Sequence, residues 1–154
     1  PKRSASGGGA IIHDQELTYS LAVPQDHPLA ADALALYRRV HKILIEVFRL
    51  HGVPADFCAA TGSQSAAEQP FLCFQRRSTG DLLLNGEKIV GSAQRRHRGA
   101  ILQHGSILLA TSDWAPELLG IRDISGVDFV PNALAAAMVS VDVICILASY
   151  LPSW

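Results

Sequence analysis

Lys88 stands just past an Asn85-Gly86 pair and just before the small run Gly91-Ser92-Ala93. Asn-Gly between the apolar runs Leu82-Leu83-Leu84 and Ile89-Val90 predicts a tight hairpin, because both turn positions must accept positive φ. A strand lysine followed by small side chains sets one cation beside backbone that a ligand can approach closely. That describes a pocket floor carrying one charge; an ordinary solvated lysine is the competing reading. Upstream, Phe71-Leu72-Cys73-Phe74 holds a thiol inside a short apolar run. It is either an inert, buried small hydrophobe or a nucleophile activated by nearby positive charge. Downstream, Arg95-Arg96-His97-Arg98 forms a compact basic loop, either solvated or able to dock an acidic partner. No aromatic residues interleave with it to stack bases, which argues against nucleic acid.

The elements that must position these groups can be read around them. Asp81–Leu109 predicts an apolar strand, the Asn-Gly turn, a strand carrying Lys88, a small-residue and basic loop, and a third strand through His104. Near the start, Ser6-Gly7-Gly8-Gly9 permits positive φ and close backbone approach. Ala10-Ile11-Ile12 reads as a short buried strand ending at His13, and Leu17, Tyr19, Leu21 and Val23 alternate with polar or small residues as in a half-buried strand. The two are expected to form a hairpin through Asp14 and Gln15. Pro28 predicts a first helical position, and Leu34, Tyr37, Val40, Leu44, Val47 and Phe48 lie at helical spacing. Arg49, His51, Gly52 and Pro54 supply the stop. His41 and Lys42 are assigned to a solvated edge of this helix. Residues 59–69 are polar and small and read as loop. From Pro131 onward, Leu134, Met138, Val141, Cys145 and Ala148 form one stripe of an expected apolar C-terminal helix spanning 131–154, and Asp142 in its middle argues against a membrane span.

With 154 residues and 49% hydrophobic side chains, the chain can bury one sizeable core but not comfortably two. A formal net charge of -1 gives no global drive toward nucleic acid or anionic membrane, so partner choice rests on local clusters. Cys58, Cys73 and Cys145 are odd in number and widely spaced, which fits a reducing, cytoplasmic setting and no zinc site. Hairpin signals, strands in series and few helices predict an α+β fold with a mostly antiparallel sheet flanked by helices.

Three blocks occurring in order carry a resemblance. Lys88-Ile89-Val90-Gly91-Ser92-Ala93-Gln94 followed by Gly99-Ala100-Ile101-Leu102-Gln103-His104-Gly105-Ser106 resembles the lysine motif and next strand of the lipoate-protein ligase and octanoyltransferase family. Ser6-Gly7-Gly8-Gly9-Ala10-Ile11-Ile12-His13-Asp14, continued by Gln15-Glu16-Leu17-Thr18-Tyr19-Ser20, resembles its glycine-rich substrate motif. Cys73-Phe74, shortly before the lysine hairpin, is similar to the cysteine-dependent octanoyltransferase branch. One departure is that Arg3 is followed by Ser4 and Ala5, where the family usually places two basic residues before the glycines.

The resemblance implies the catalytic domain shared by biotin and lipoate ligases over residues 1–130, truncated at its N-terminus. It implies an acyltransferase that moves an octanoyl or lipoyl group from an acyl-carrier-protein thioester to a lysine of a lipoyl-domain protein, such as the glycine cleavage H protein or a dehydrogenase E2. Cys73 would be the nucleophile, with Lys88, Arg76 or Arg77 favouring its thiolate. Lys88 would also orient the thioester carbonyl and stabilise its oxyanion. Ser6, Gly7, Gly8, Gly9, His13, Gly91, Ser92, Ala93, Gln103, His104 and Gly105 would border the acyl group. The transferase reading implies no metal and no cofactor. An ATP-dependent ligase needing ATP and Mg2+, or a non-catalytic acyl-binding member, are the alternatives.

Overall fold

The structure, a computed structural model, describes residues 11–59 and 70–129 and the backbone of 144–150. Its centre is an antiparallel sheet in the order β2-β3-β4-β5-β1-β6. The strands are β1 (Glu16–Val23), β2 (Asp56–Phe57), β3 (Leu82–Leu84), β4 (Glu87–His97), β5 (Ala100–Leu108) and β6 (Ile144–Tyr150). Helix α1 (Ala33–Leu50) covers one face, and a short α2 (Ile121–Ser125) follows β5. The expected α+β class with a mostly antiparallel sheet is what forms.

Period-two alternation in β1 buries Leu17, Tyr19, Leu21 and Val23. They join Leu36, Val40, Leu44, Val47 and Phe48 of α1 and Ile89, Val90, Ile101 and Ile107 of the sheet in one core. Fully burying a side chain of this size stabilises by about 1.5–3 kcal/mol, so this seam holds helix to sheet. Helix α1 begins later than Pro28 suggests. Pro28–Ala30 is a separate 3-10 turn, and the cap is Asp32, whose Oδ1 accepts from the amides of Leu34 and Ala35 at 2.9 and 3.0 Å. The end is as expected, with Gly52 at φ 79 just past the helix.

Four further expectations are corrected. Residues 11–15 form no strand, so the hairpin through Asp14 and Gln15 is absent; β1 pairs with β5 and β6 instead. The small-residue and basic loop does not exist either. Gly91 to His97 continue β4 as far as Arg98 and Gly99, which make the two-residue turn because both take positive φ (48 and 83). The C-terminal helix is overturned over 144–150, where the backbone pairs with β1 from Ala22↔Ile144 to Glu16↔Tyr150. A run of Ile, Cys, Ile and Tyr suits a pleated strand, and pairing satisfies a β1 edge that would otherwise leave backbone groups open. Finally, His41 is not a solvated edge but fully buried, whereas Lys42 is exposed. The Gly7–Gly9 loop, the loop expected over 60–69 and residues 131–143 of the expected helix lie outside the described residues.

Candidate functional site

A β-bulge decides which way Lys88 points. Along β3 and β4 the pairs are Leu82↔Val90 and Leu83↔Lys88, so Ile89 is an extra residue between two paired ones. In an unbroken strand Lys88 and Val90 would share a face; here they lie opposite neighbours that alternate. Val90 enters the core, and Lys88 turns to the face away from α1. Its ε-carbon fills the space beside Gly91, where a Cβ would come within 2.7 Å. Gly91 is therefore needed for clearance, and its φ is not positive.

There the Lys88 ammonium meets three acceptors. Asp81 Oδ2 lies at 2.8 Å, and the carbonyls of Arg76 and Cys73 accept at 3.0 and 3.5 Å. Three acceptors match the three hydrogens of an ammonium group. The Phe74 ring sits 5.4 Å from the nitrogen. Asp81 is itself almost fully buried and also accepts from the Ser78 amide at 2.7 Å. The two carbonyl bonds of Lys88 thus tie the 3-10 turn Cys73–Gln75 and its cap Arg76 to β4. Cys73 is half-buried and carries a free thiol, whereas Cys58 is buried and its thiol faces the Ala59 carbonyl. Lys88 reaches the Cys73 carbonyl in this arrangement. Arg76 donates to the Pro70 carbonyl, and Arg77 faces Glu87 at 3.9 Å.

Two strands across the same face, Glu16 is fully buried. Its Oε1 accepts from His13 Nδ1 at 2.6 Å, Thr18 Oγ1 at 2.9 Å and Ser106 Oγ at 3.3 Å; its Oε2 finds no partner among the described residues. Ser106 pairs directly with Gly91. The register therefore lines up Gly91, Ser106 and Thr18 across three strands, with Lys88 near one end of the row and the His13–Glu16 pair near the other.

The opposite face carries a buried polar chain. Gln94 Nε2 donates to Gln103 Oε1 at 2.9 Å, and Gln103 Nε2 donates to the Tyr19 hydroxyl at 3.0 Å. Tyr19 and Ser92 share a 2.6 Å bond, and Ser92 meets His41 Nε2 at 2.7 Å. His41 Nδ1 reaches the Gly80 carbonyl at 2.7 Å. A carbonyl only accepts, so Nδ1 carries the hydrogen. Neutral His41 then accepts at Nε2 from Ser92, and Ser92 accepts from Tyr19. Burial pushes the His41 imidazole down to about 4, the Lys88 charge acts in the same direction, and the Gly80 bond opposes both. Tyr37 lies against the His41 ring, centroids 4.3 Å apart. Burial, with Asp81 and Tyr19 adding, raises its phenol well above the ordinary range while hydrogen bonding from Ser92 opposes.

Alternation thus divides the sequence-derived site residues. Lys88, Gly91, Ala93 and His104 belong to the open face, and Ser92, Gln103 and Gly105 to the helix-covered one. His104 is exposed. Ser6 to Gly9 lie outside the described residues. Glu16, Asp81, Tyr19 and His41 were missed. For His41 the signal was present: it falls one turn after Tyr37 and two turns before Phe48, on the apolar stripe itself.

Residues 2–121 match the model of the lipoyl protein ligase A/B catalytic domain. The chain belongs to this family. Among curated proteins, the chain is similar to the octanoyltransferase LipM of Macrococcus caseolyticus, 40% identical over 111 residues, and to that of Bacillus subtilis, 39% identical over 112 residues. These alignments cover 69% and 70% of this chain but 40% of each relative, so the chain spans about two fifths of their length. Among solved structures, a lipoate protein ligase of T. acidophilum with bound lipoic acid superposes with a TM-score of 0.55 at 19% identity, over 82% of this chain and 49% of the other. A lipoate-protein ligase A bound with ATP superposes with a TM-score of 0.50 at 18% identity, over 82% and 50%. At these identities the likeness establishes the family fold. Among the described residues, no helix is long and apolar enough to cross a membrane, and no group of three His, Cys, Asp or Glu could hold a metal ion.

Proposed function

We propose that the protein transfers an octanoyl group from a carrier-protein thioester to a lysine of a lipoyl-domain protein, through an acyl-enzyme at Cys73. The observation that carries this reading is the tie between the half-buried Cys73 turn and the Lys88 ammonium, 3.5 Å from its carbonyl. The names of the curated octanoyltransferase relatives support the acyl group and the reaction class.

In this reading the Cys73 thiolate attacks the donor's thioester carbonyl, the donor C–S bond breaks, and the departing thiolate takes up a proton. The neutral amine of the acceptor lysine then attacks the Cys73 thioester. A C–N bond forms, the Cys73 C–S bond breaks, and the amine proton passes to the released thiolate or to solvent. Lys88, held in place by Asp81, stabilises negative charge on the carbonyl oxygen in both steps by giving up its longest bond, the 3.5 Å one to the Cys73 carbonyl. Ser106, Thr18 and the His13–Glu16 pair, together with Ser6 to Gly9, border the acyl group.

Arg95, His97 and Arg98 are exposed at the β4–β5 turn beside an apolar groove of about 440 Å³, bounded also by Ala22, Pro24 and Leu102. An acidic carrier domain would be steered there by charge. Arg95, which lines the groove, stands seven residues along β4 from Lys88, about 23 Å at strand rise, a distance that a long flexible thioester arm can span. The acceptor, glycine cleavage H protein or dehydrogenase E2, belongs to this proposal, as does a cytoplasmic setting.

The test is intact-protein mass after mixing with octanoyl-carrier protein, comparing the wild-type chain with Cys73→Ser and Cys58→Ser. An octanoyl adduct lost only in Cys73→Ser is expected. If the wild type forms no adduct, while ATP, Mg2+ and free lipoate yield a modified acceptor, the protein is a ligase. Silence in both assays from a folded protein leaves acyl binding without transfer.

A further inference from the structure

We infer that His41, from the helix-covered face of the sheet, is a positioning residue for Lys88. The inference rests on the reading of Lys88 as part of the acyl-transfer site, although its geometry does not depend on that reaction.

Lys88 is confined by two short stretches of backbone. On one side Asp81 supplies the carboxylate, and on the other Gly91 supplies the cleared surface along which the side chain lies. His41 grips the residue next to each. Its Nδ1–H is bonded to the Gly80 carbonyl and its Nε2 to the Ser92 hydroxyl. One rigid, fully buried ring therefore spans β4 and the chain leading into β3, setting their separation where the bulge at Ile89 loosens the ladder between them. Gly80 also needs this fixing for a local reason. Its φ is +96, and an added Cβ would meet the Tyr37 ring at 3.0 Å, so the turn into Asp81 closes directly against α1.

The rest of the polar chain makes the grip directional. Because Gln94 and Gln103 feed hydrogens through Tyr19 to Ser92, the Ser92 hydroxyl accepts from Tyr19 and turns its own hydrogen to the α1 side, where His41 Nε2 and Tyr37 lie. The groups that face the ring are Tyr37 on its own helix, Ser92 and Tyr19 on the sheet, the Gly80 carbonyl and the Phe57 ring, with Asp81 and Lys88 the charges that act nearby. An apolar residue at 41 would complete the core as the neighbouring Val40 and Leu44 do. The imidazole adds one fixed donor and one fixed acceptor aimed at the two segments that hold the lysine.

The experiment compares wild type, His41→Phe, His41→Gln and, as a surface control on the same helix, Lys42→Ala. The first readout needs no knowledge of the reaction: the rate at which Lys88 is modified by an amine-acylating reagent at pH 8, measured by peptide mass. Loss of the grip lets Asp81 part from Lys88 and exposes the amine. Labelling should rise about five-fold or more in His41→Phe, less in His41→Gln, which keeps a donor and an acceptor, and not at all in Lys42→Ala. The second readout is octanoyl loading of Cys73. Its maximal rate should fall about ten-fold in His41→Phe with half-saturating donor within two-fold of wild type, as expected for misplacement rather than lost binding. Unchanged Lys88 labelling in a folded His41→Phe overturns the inference, whatever the loading does. Absent loading in wild type sinks the transferase reading, and the labelling result still decides the role of His41. If His41→Phe does not fold, Ser92→Ala, which releases one side of the grip, is read in the same way.

Discussion

The side chain of Lys88 occupies the space that a side chain at Gly91 would need, its ε-carbon 2.7 Å from where a Cβ would stand. The obstacle is the mobile end of a lysine, so Gly91→Ala can fold by pushing Lys88 aside. Its cost in stability should be modest, about 1 kcal/mol. Displacement by about 1 Å at a reacting group can cost about 100-fold in rate, and octanoyl loading of Cys73 should fall at least ten-fold. Urea unfolding and loading kinetics on the same preparation check this; loading at the wild-type rate would show that the lysine does not act where it now lies.

Breaking the Lys88–Asp81 pair from one side leaves a charge buried without its counterpart. Both side chains are less than about a tenth exposed, so solvent screens the pair little. Asp81→Ala and Lys88→Met should each destabilise by about 3 kcal/mol or more, and the combined variant should cost well under the sum because no buried charge remains. Denaturant titrations of the three variants close the cycle. Simple additivity would mean that the two groups do not stabilise each other.

His41 makes stability depend on pH in a definite direction. Its folded-state value of about 4 lies below the ordinary 6.5, so between these values the unfolded chain binds a proton that the folded chain refuses. Stability is therefore complete above about pH 6.5 and is lost progressively as pH falls toward 4, by about 3 kcal/mol in all. His41→Phe should flatten this part of the profile. Thermal or urea denaturation between pH 7 and 4 measures the difference between the two proteins; parallel profiles would show that another group carries the dependence.

Gly105 leaves no room for a side chain. A Cβ there would collide with Ser92 Oγ, approach the Tyr19 ring at 2.7 Å and the Gly91 carbonyl at 2.8 Å, and one of these is backbone. Gly105→Ala should destabilise by about 2–3 kcal/mol through overpacking, far more than Gly91→Ala, whose obstacle can move. The two alanine variants side by side in one unfolding experiment give the comparison, and equal costs would contradict it.

Much of the fold could be read from local signals with few alternatives. Asn85-Gly86 marks its hairpin because few other pairs accept two positive φ values, and the β1 alternation and the Gly52 stop are equally local. The β4–β5 turn was misplaced because Gly91-Ser92-Ala93 and the arginines look like loop by composition. The small residues are instead cleared space on a continuous strand, and only Arg98-Gly99 has turn geometry. Residues 144–150 do not announce a strand because an apolar run of that length has no period of its own. At the site, Lys88 and Gly91 were visible, but the face they occupy depends on a bulge that leaves no mark in the sequence. His41 looks like surface because a lysine follows it, although its spacing from Tyr37 and Phe48 places it inside.

Strand β1 carries Glu16 and Thr18 on one face and Tyr19 on the other, and it is hydrogen-bonded on both sides. Its neighbours arrive at very different times. Strand β5 lies roughly 80–90 residues downstream, and the partner of Glu16 in β6 is about 130 residues away, so the second ladder closes one of the longest loops in the chain. During synthesis β1 must then wait, first bare and later with one open edge, until Tyr150 has emerged. Nascent chains halted between Leu108 and Ile144 would hold the lysine hairpin and the polar chain beneath it already assembled, while β1 still offers an unpaired edge to any strand that meets it.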